Sequence, residues 1–393
     1  MRLPLDASPG TSMPPDYVDL FRRQPTLDIE LPDGTAAIAV TRQCDVRTVL
    51  SDNRFSRAQF QTRTLWASSG SSLALVTSDP PSHTARRRAI QGWFTSRKAE
   101  QARPVIEHVA DQLIGDVLAA GPPADIYARF CHPFPNLVHM NLLGLDIADL
   151  PYLAPRMTVA WSSGHYRDDE VAKATLDLRD YFESQVSRSR RGASAGGLID
   201  ALVHDDSASR LTDAEIVALS MGLLISGAET TGCHLAMGLI EVLQQPGLPD
   251  ALRRNPGQIP TTVEELLRWM WFGGTAGRAH VAMAEVKLHD RLISCGQVVV
   301  PMVDVANRDR DVFPDADRFC PERSPNPHLG FGHGPHRCVG MSYARVELQV
   351  GLRVVLSRLD ELSLLVDSEL DWRTNMFTRG VWYLPVTWRG GGQ

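Results

Sequence analysis

Apolar residues return every three or four positions along much of the chain. Five stretches carry that period clearly, 105–118, 175–187, 213–245, 262–269 and 341–359, and each is read as an amphipathic helix. Alternation with period two is scarce. Residues 35–41 alternate weakly after the turn Pro32-Asp33-Gly34. Residues 286–288 and 297–300 flank a hairpin-like piece with Asp290 and Gly296 as turn residues, and 384–388 reads as a short late strand. The pattern predicts a mainly α fold with a small β portion. The strands sit near both ends of the chain and are expected to meet in space. That favours one domain over residues 1–393, with 1–16 and 389–393 as flexible ends.

The longest helix has explicit boundaries. Thr212 followed by Glu215 is a capping box, and Gln245-Pro246-Gly247 is a stop. At 1.5 Å per residue the rod is about 50 Å long, enough to cross a domain. Its centre, Ser226-Gly227-Ala228-Glu229-Thr230-Thr231-Gly232, is rich in poor helix formers that cost a few kcal/mol in all. Two readings explain it. Small residues admit a neighbouring backbone, or something bulky lies against the helix and Glu229 and Thr230 serve chemistry there.

Composition removes several classes. The 393 residues are 43% hydrophobic and 22% charged, so a sizeable core is available. A net charge of −6 gives no support to nucleic acid as the main partner. Cys44, Cys131, Cys233, Cys295, Cys320 and Cys338 show no CxxC spacing and do not resemble a disulfide scaffold. The N-terminus is proline-rich and lacks an apolar leader core, so a soluble, cytoplasmic protein is expected.

The sharpest chemical signal is Phe331-Gly332-His333-Gly334-Pro335-His336-Arg337-Cys338-Val339-Gly340, ahead of the helix from Met341. Loop N–H groups and a helix N-terminus around a sulfur favour thiolate, which is a ligand for haem iron. The bland alternative, an inert cysteine before a helix, leaves most of the ten-residue string unexplained.

With these residues the chain resembles the bacterial (class I, soluble) cytochrome P-450s, haem-thiolate monooxygenases. The string Phe331–Gly340 matches the pattern F-G-x-G-x-H-x-C-x-G. Ser226–Thr231 resembles [AG]-G-x-[DE]-T-[TS], and Glu265-Leu266-Leu267-Arg268 resembles E-x-x-R. Asn307-Arg308-Asp309 with 319–323 resembles the loop before the cysteine region, and His83 to Arg87 resembles H-x-x-x-R. Ser226 departs from the usual Ala or Gly. Its hydroxyl either binds water, oxygen or substrate, or bonds back to the Gly222 carbonyl, the preferred reading.

The resemblance implies haem b (iron protoporphyrin IX) on Cys338, with O2 as co-substrate. His83, Arg87, Arg278 and His336 would hold the propionates, and Phe331, Gly332, Gly340 and Gly227 would border the cofactor. Glu229 and Thr230 would handle protons. Glu265 and Arg268, with Arg323 as third member, would be structural. Gly222, Ser226 and Thr230 share one helix face with Ile225 beside them. Matching the family's other pocket segments adds Gln61, Leu65, Trp66, Gly273, Gly274, Thr275, Phe377 and Thr378. A pocket of this make-up suits an aromatic or polycyclic natural product of secondary metabolism.

Electrons would come from ferredoxin and a ferredoxin reductase or their equivalent. Arg86, Arg87, Arg88, Arg97 and Lys98 form either a basic docking patch or a solvated helix face. Three functions stand together: hydroxylation or epoxidation, oxidative aromatic coupling such as on a tryptophan-containing diketopiperazine, and a non-catalytic haem sensor.

Overall fold

The computed structural model describes residues 10–31, 34–60, 75–193, 196–207, 210–273, 279–289, 291–365 and 370–390. Along them run helices α1 (Pro15–Arg23), α2 (Gln43–Ser51), α3 (Ser82–Gln91), α4 (Ser96–Ala120), α5 (Pro133–Leu143), α6 (Leu150–Ala160), α7 (Asp168–Arg190), α8 (Gly197–Val203), α9 (Asp213–Gln244), α10 (Leu248–Arg254), α11 (Ile259–Trp269), α12 (Val303–Ala306) and α13 (Met341–Arg358). The strands are short: β1 (Thr26–Glu30), β2 (Ala36–Val40), β3 (Phe55–Ser56), β4 (Ala124–Asp125), β5 (His280–Ala282), β6 (Val286–Leu288), β7 (Arg291–Ile293), β8 (Val298–Pro301), β9 (Ser363–Leu364) and β10 (Pro385–Thr387).

α9 is the axis of the fold. The Thr212 hydroxyl accepts from the Glu215 N–H, and the Glu215 carboxylate accepts from the Thr212 N–H, so the expected capping box is present. The helix runs unbroken through its weak centre. α5, α7 and α13 all pack against it. By length and composition α9 could cross a membrane, yet most of its apolar window is buried inside this protein.

Three of the helices missed in the sequence have a common cause. α1, α5 and α6 each begin at or beside a proline, which is well suited to the first helical turn although it reads as a breaker. α5 is also buried on most sides, so it shows little periodicity. α4 starts earlier than expected and continues through Pro104.

The β portion differs from expectation. β2 and β8, far apart in sequence, pair in parallel, with Ile38 opposite Val299. They belong to a sheet ordered β1-β2-β8-β5-β3. β6 pairs instead with β7 in a tight hairpin, and Gly296 (φ +86°) turns the chain into β8. β10 joins β4 and β9, so the late strand does not meet the early ones. Residues 10–16 were expected to fray, but Thr11 and Met13 are buried and α1 starts at Pro15. At the other end, Arg389 forms ion pairs with Asp360 and Glu361.

A buried charge cluster ties α11 to the long loop before the cysteine. Glu265 receives two hydrogen bonds from Arg268, at 2.8 and 2.7 Å, and one from Arg323 at 3.0 Å. Asn326 Nδ2 and the Cys320 N–H complete its donor set. Arg268 in turn donates to the carbonyls of Asn307, Ala316 and Arg318. Glu265→Gln leaves two buried guanidiniums without their counter-charge. It is expected to cost about 3–5 kcal/mol of stability. Urea unfolding monitored by circular dichroism checks this, and a loss under about 1 kcal/mol would equate the cluster with an exposed ion pair.

Candidate active site

Beneath α9 lies a cavity of about 350 Å³. Its floor is the loop 331–340 and the start of α13, and α3 supplies a side wall. The loop is shaped by backbone. Cys338 N–H donates to Phe331 O at 2.8 Å. Gly332 and Gly334 have φ of +71° and +68°, and a Cβ on Gly334 would sit 2.3 Å from the Leu50 carbonyl. α2 therefore presses directly on the cysteine loop.

The Cys338 sulfur opens onto this cavity. Enclosure by protein pushes its thiol up, against the Gly340 N–H and the charges of Arg87, Arg345 and Arg337, which favour thiolate. The thiolate expected from sequence is thus not secured by these donors alone, because desolvation outweighs them. A metal cation bound to the sulfur would add the stabilisation that a thiolate needs there.

Basic side chains crowd one end of the cavity. Arg57, His83, Arg87 and His336 all line it, and the two imidazole rings lie 4.1 Å apart. His83 is buried with both ring nitrogens unpartnered. Burial, then Arg87 and Arg57, push His83 down to about 4. Burial, Arg57 and His83 push His336 to about 2. Such a cluster calls for an anion. A soft sulfur donor at the floor, two arginines and two histidines at one end and an apolar helix above fit a haem with its two propionates. Arg57 belongs to no motif and was missed in the sequence.

The distal wall carries a stripe of side chains at i, i+4 spacing. Ser226 Oγ donates to Gly222 O at 2.6 Å, Thr230 Oγ1 to Ser226 O at 2.5 Å and His234 Nδ1 to Thr230 O at 3.2 Å. Ser226 thus bonds back to the helix as preferred. Each hydroxyl still presents lone pairs to the cavity as an acceptor. His234, whose ring lies 3.6 Å from that of Phe272, was missed, although its i+4 spacing from Thr230 could have found it.

The glycines of the weak centre admit neighbours. A Cβ on Gly232 would meet the Cys131 carbonyl at 2.9 Å, and one on Gly227 would meet His139 Nε2 at 2.2 Å. Gly227 also lines the cavity, so it serves close packing and cavity shape at once.

Glu229 turns the other way and is fully buried. It accepts from Arg373 at 2.8 Å and Thr158 at 2.7 Å, with His132 Nε2 at 3.3 Å. Burial works against the carboxylate, but Arg373, His132 and Thr158 overcome it and bring it down to about 2. Arg373 also reaches Tyr127 Oη and Cys233 Sγ. Nothing local in the sequence links residue 373 to α9.

The expected pocket residues divide. Gly222, Ser226 and Thr230 line the cavity, as do Phe331, Gly332, Gly340, His83, Arg87 and His336. Ile225 is fully buried in the main core, not on the cavity wall. Phe377 stacks edge-on against Trp161, and Thr378 accepts from Trp161 Nε1 at 2.8 Å; neither is on the cavity wall. Gly273 packs near Arg379. Gln61, Leu65, Trp66, Gly274, Thr275 and Arg278 lie outside the described residues. The basic patch is smaller than expected. Arg86 is buried in an ion pair with Glu215 and Arg87 faces the cavity, leaving Arg88, Arg97 and Lys98 outward.

Comparison with known proteins follows the same lines. The family model described as Cytochrome P450 matches residues 146–368. The chain is 36% identical to mycinamicin IV hydroxylase/epoxidase of Micromonospora griseorubida, with 96% of each covered. It is 37% identical to nocardicin C N-oxygenase of Nocardia uniformis subsp. tsuyamanensis, with 95% of each covered. Among solved structures, a cytochrome P450 with biaryl coupling reactivity superposes with a TM-score of 0.90 at 32% identity, over 99% of this chain and 100% of that one.

Because Glu229 is depressed in the fold, its stabilising contribution is full above the ordinary carboxylate value of 4.5 and is lost as pH falls through about 2. Glu229→Gln is expected to lower the melting temperature at pH 7 and to flatten its fall between pH 4.5 and 2. Calorimetry across that range checks both signs.

Proposed function

The chain belongs to the cytochrome P450 family, and from that premise we propose that it oxidises a natural product of secondary metabolism, by hydroxylation or epoxidation of an aromatic or polycyclic skeleton. The observation that carries this reading is Cys338 at the floor of a cavity whose opposite wall is α9. When bound, the haem supplies dioxygen activation and C–H oxidation.

The protein's residues do the rest. Cys338 would hold the iron. Arg87 and Arg57 would neutralise the propionates and His83 and His336 would donate hydrogen bonds to them, with Arg278 assigned to them by family resemblance. Thr230 offers its hydroxyl oxygen to a hydrogen-bond donor in the cavity, and Glu229 keeps Arg373 and Thr158 in place behind it. Gly222 leaves room over the helix, while Leu75, Val76, Leu223 and Phe272 exclude water. That wall suits a bulky, largely apolar substrate. Ferredoxin and its reductase deliver electrons in the cytoplasm, with Arg88, Arg97 and Lys98 available to an acidic partner.

A second reading, oxidative aromatic coupling, is favoured by the close superposition on a P450 of that reactivity. Product masses separate the two. Incubation with redox partners and candidate aromatic substrates gives a gain of one oxygen for the first and a dimer mass for the second. Absence of turnover across the panel supports a sensor instead. Cys338→Ser is expected to abolish the red-shifted Soret band of the reduced carbonyl complex. Survival of that band would remove the sulfur from the metal.

A further inference from the structure

Three side chains meet on the cysteine side of the cavity, outside its lining. Glu264 stands on α11, one residue before the buried Glu265. It accepts two hydrogen bonds from Arg345 of α13, Nε to Oε1 at 2.7 Å and Nη2 to Oε2 at 2.8 Å. Oε2 accepts a third from His328 Nε2 at 3.0 Å. The other nitrogen of that imidazole settles its protonation, because His328 Nδ1 accepts from the Gly330 N–H at 3.0 Å. A ring with an acceptor nitrogen is neutral. Arg345 is therefore the one cation in this trio, set against the one carboxylate. Burial opposes the Glu264 carboxylate, but Arg345 and His328 bring it down to about 2, so the pair is ionised at neutral pH.

The guanidinium does more than balance a carboxylate. Its carbon lies 4.6 Å from the centre of the Phe331 ring. Phe331 opens the cysteine loop, and its carbonyl accepts from the Cys338 N–H at 2.8 Å. The field of Arg345 also reaches the sulfur, where it favours thiolate alongside Arg87 and Arg337. A lone cation in that place would draw on the sulfur's electrons and favour the reduced, more negative centre. Paired with a carboxylate at hydrogen-bond distance, the same cation acts as a dipole with a much weaker field. Both partners are little more than a quarter exposed, so water does not erase the difference.

We propose that Glu264 is a positioning residue for the haem-thiolate centre: it holds the Arg345 guanidinium over Phe331 and offsets its charge, and so keeps the reduction potential of the Cys338-bound iron low. The inference rests on the haem-thiolate reading above. It differs from a mere staple between α11 and α13 in one respect. A staple is weakened alike by loss of either partner, whereas an electrostatic pair answers loss of its anion and loss of its cation with opposite signs.

Spectroelectrochemical titration of the haem-loaded full chain tests this. Wild type is first checked for the red-shifted Soret band of its reduced carbonyl complex. Without that band the haem-thiolate reading fails and this inference falls with it. With the band present, only the inference is at stake. Glu264→Gln should then raise the midpoint potential, since Arg345 loses its counter-charge. Arg345→Gln should lower it, and the double variant should return toward wild type. Arg345→Lys keeps the charge without the planar fork and should stay nearer wild type than Arg345→Gln. Should Glu264→Gln not take up haem, the fall in Arg345→Gln and its recovery in Arg345→Lys carry the test. Shifts of the same sign in the two single variants, or potentials indistinguishable from wild type in both, would overturn the proposal.

Discussion

A carboxylate with no water around it must find all its donors in protein, and Glu265 finds them in the stretch that leads to the cysteine. Arg268, Arg323, Asn326 and the Cys320 N–H close on its two oxygens. Because Arg268 also binds the carbonyls of Asn307, Ala316 and Arg318, an irregular segment with little secondary structure is tied to α11 at three points. The loop 331–340 hangs from that segment at one side and leans on α2 at Gly334 on the other. The position of one sulfur is thereby set by charges well outside its own loop.

Charge is distributed with a consistent logic around the cavity. Two arginines gather with two histidines where a haem's propionates would lie, and burial holds those histidines neutral. On the far side of α9, Glu229 is neutralised by Arg373 and turned away from the reacting space. Between the two, the hydroxyls of Ser226 and Thr230 satisfy their protons on the helix and expose only acceptor lone pairs. The wall above the floor is therefore polar at chosen points and apolar elsewhere.

Much of this was legible from the sequence, and the rest was illegible for definite reasons. α9 announced itself through its capping box, and the cysteine loop through glycines whose positive φ a side chain would resist. Glu265 and Arg268 were readable because three residues along a helix puts them on one face. α5 was not, since a helix buried on most sides has no polar face to mark its period. The strand partners were misjudged because short strands carry no register of their own, and β8 chose β2 over the nearer β6. Arg57 and Arg373 could not be found, because each acts at the site through tertiary approach alone.

The covering of α9 from both directions of the chain leaves a mark on biosynthesis. α5 and α7 leave the ribosome before it, but α13 emerges only after a further stretch that takes about 5–20 s at ordinary elongation rates. During that interval a nascent chain displays a 32-residue apolar rod with one flank bare, which is the feature membrane-targeting machinery selects. The order of synthesis thus leaves that surface uncovered until the C-terminal helix arrives.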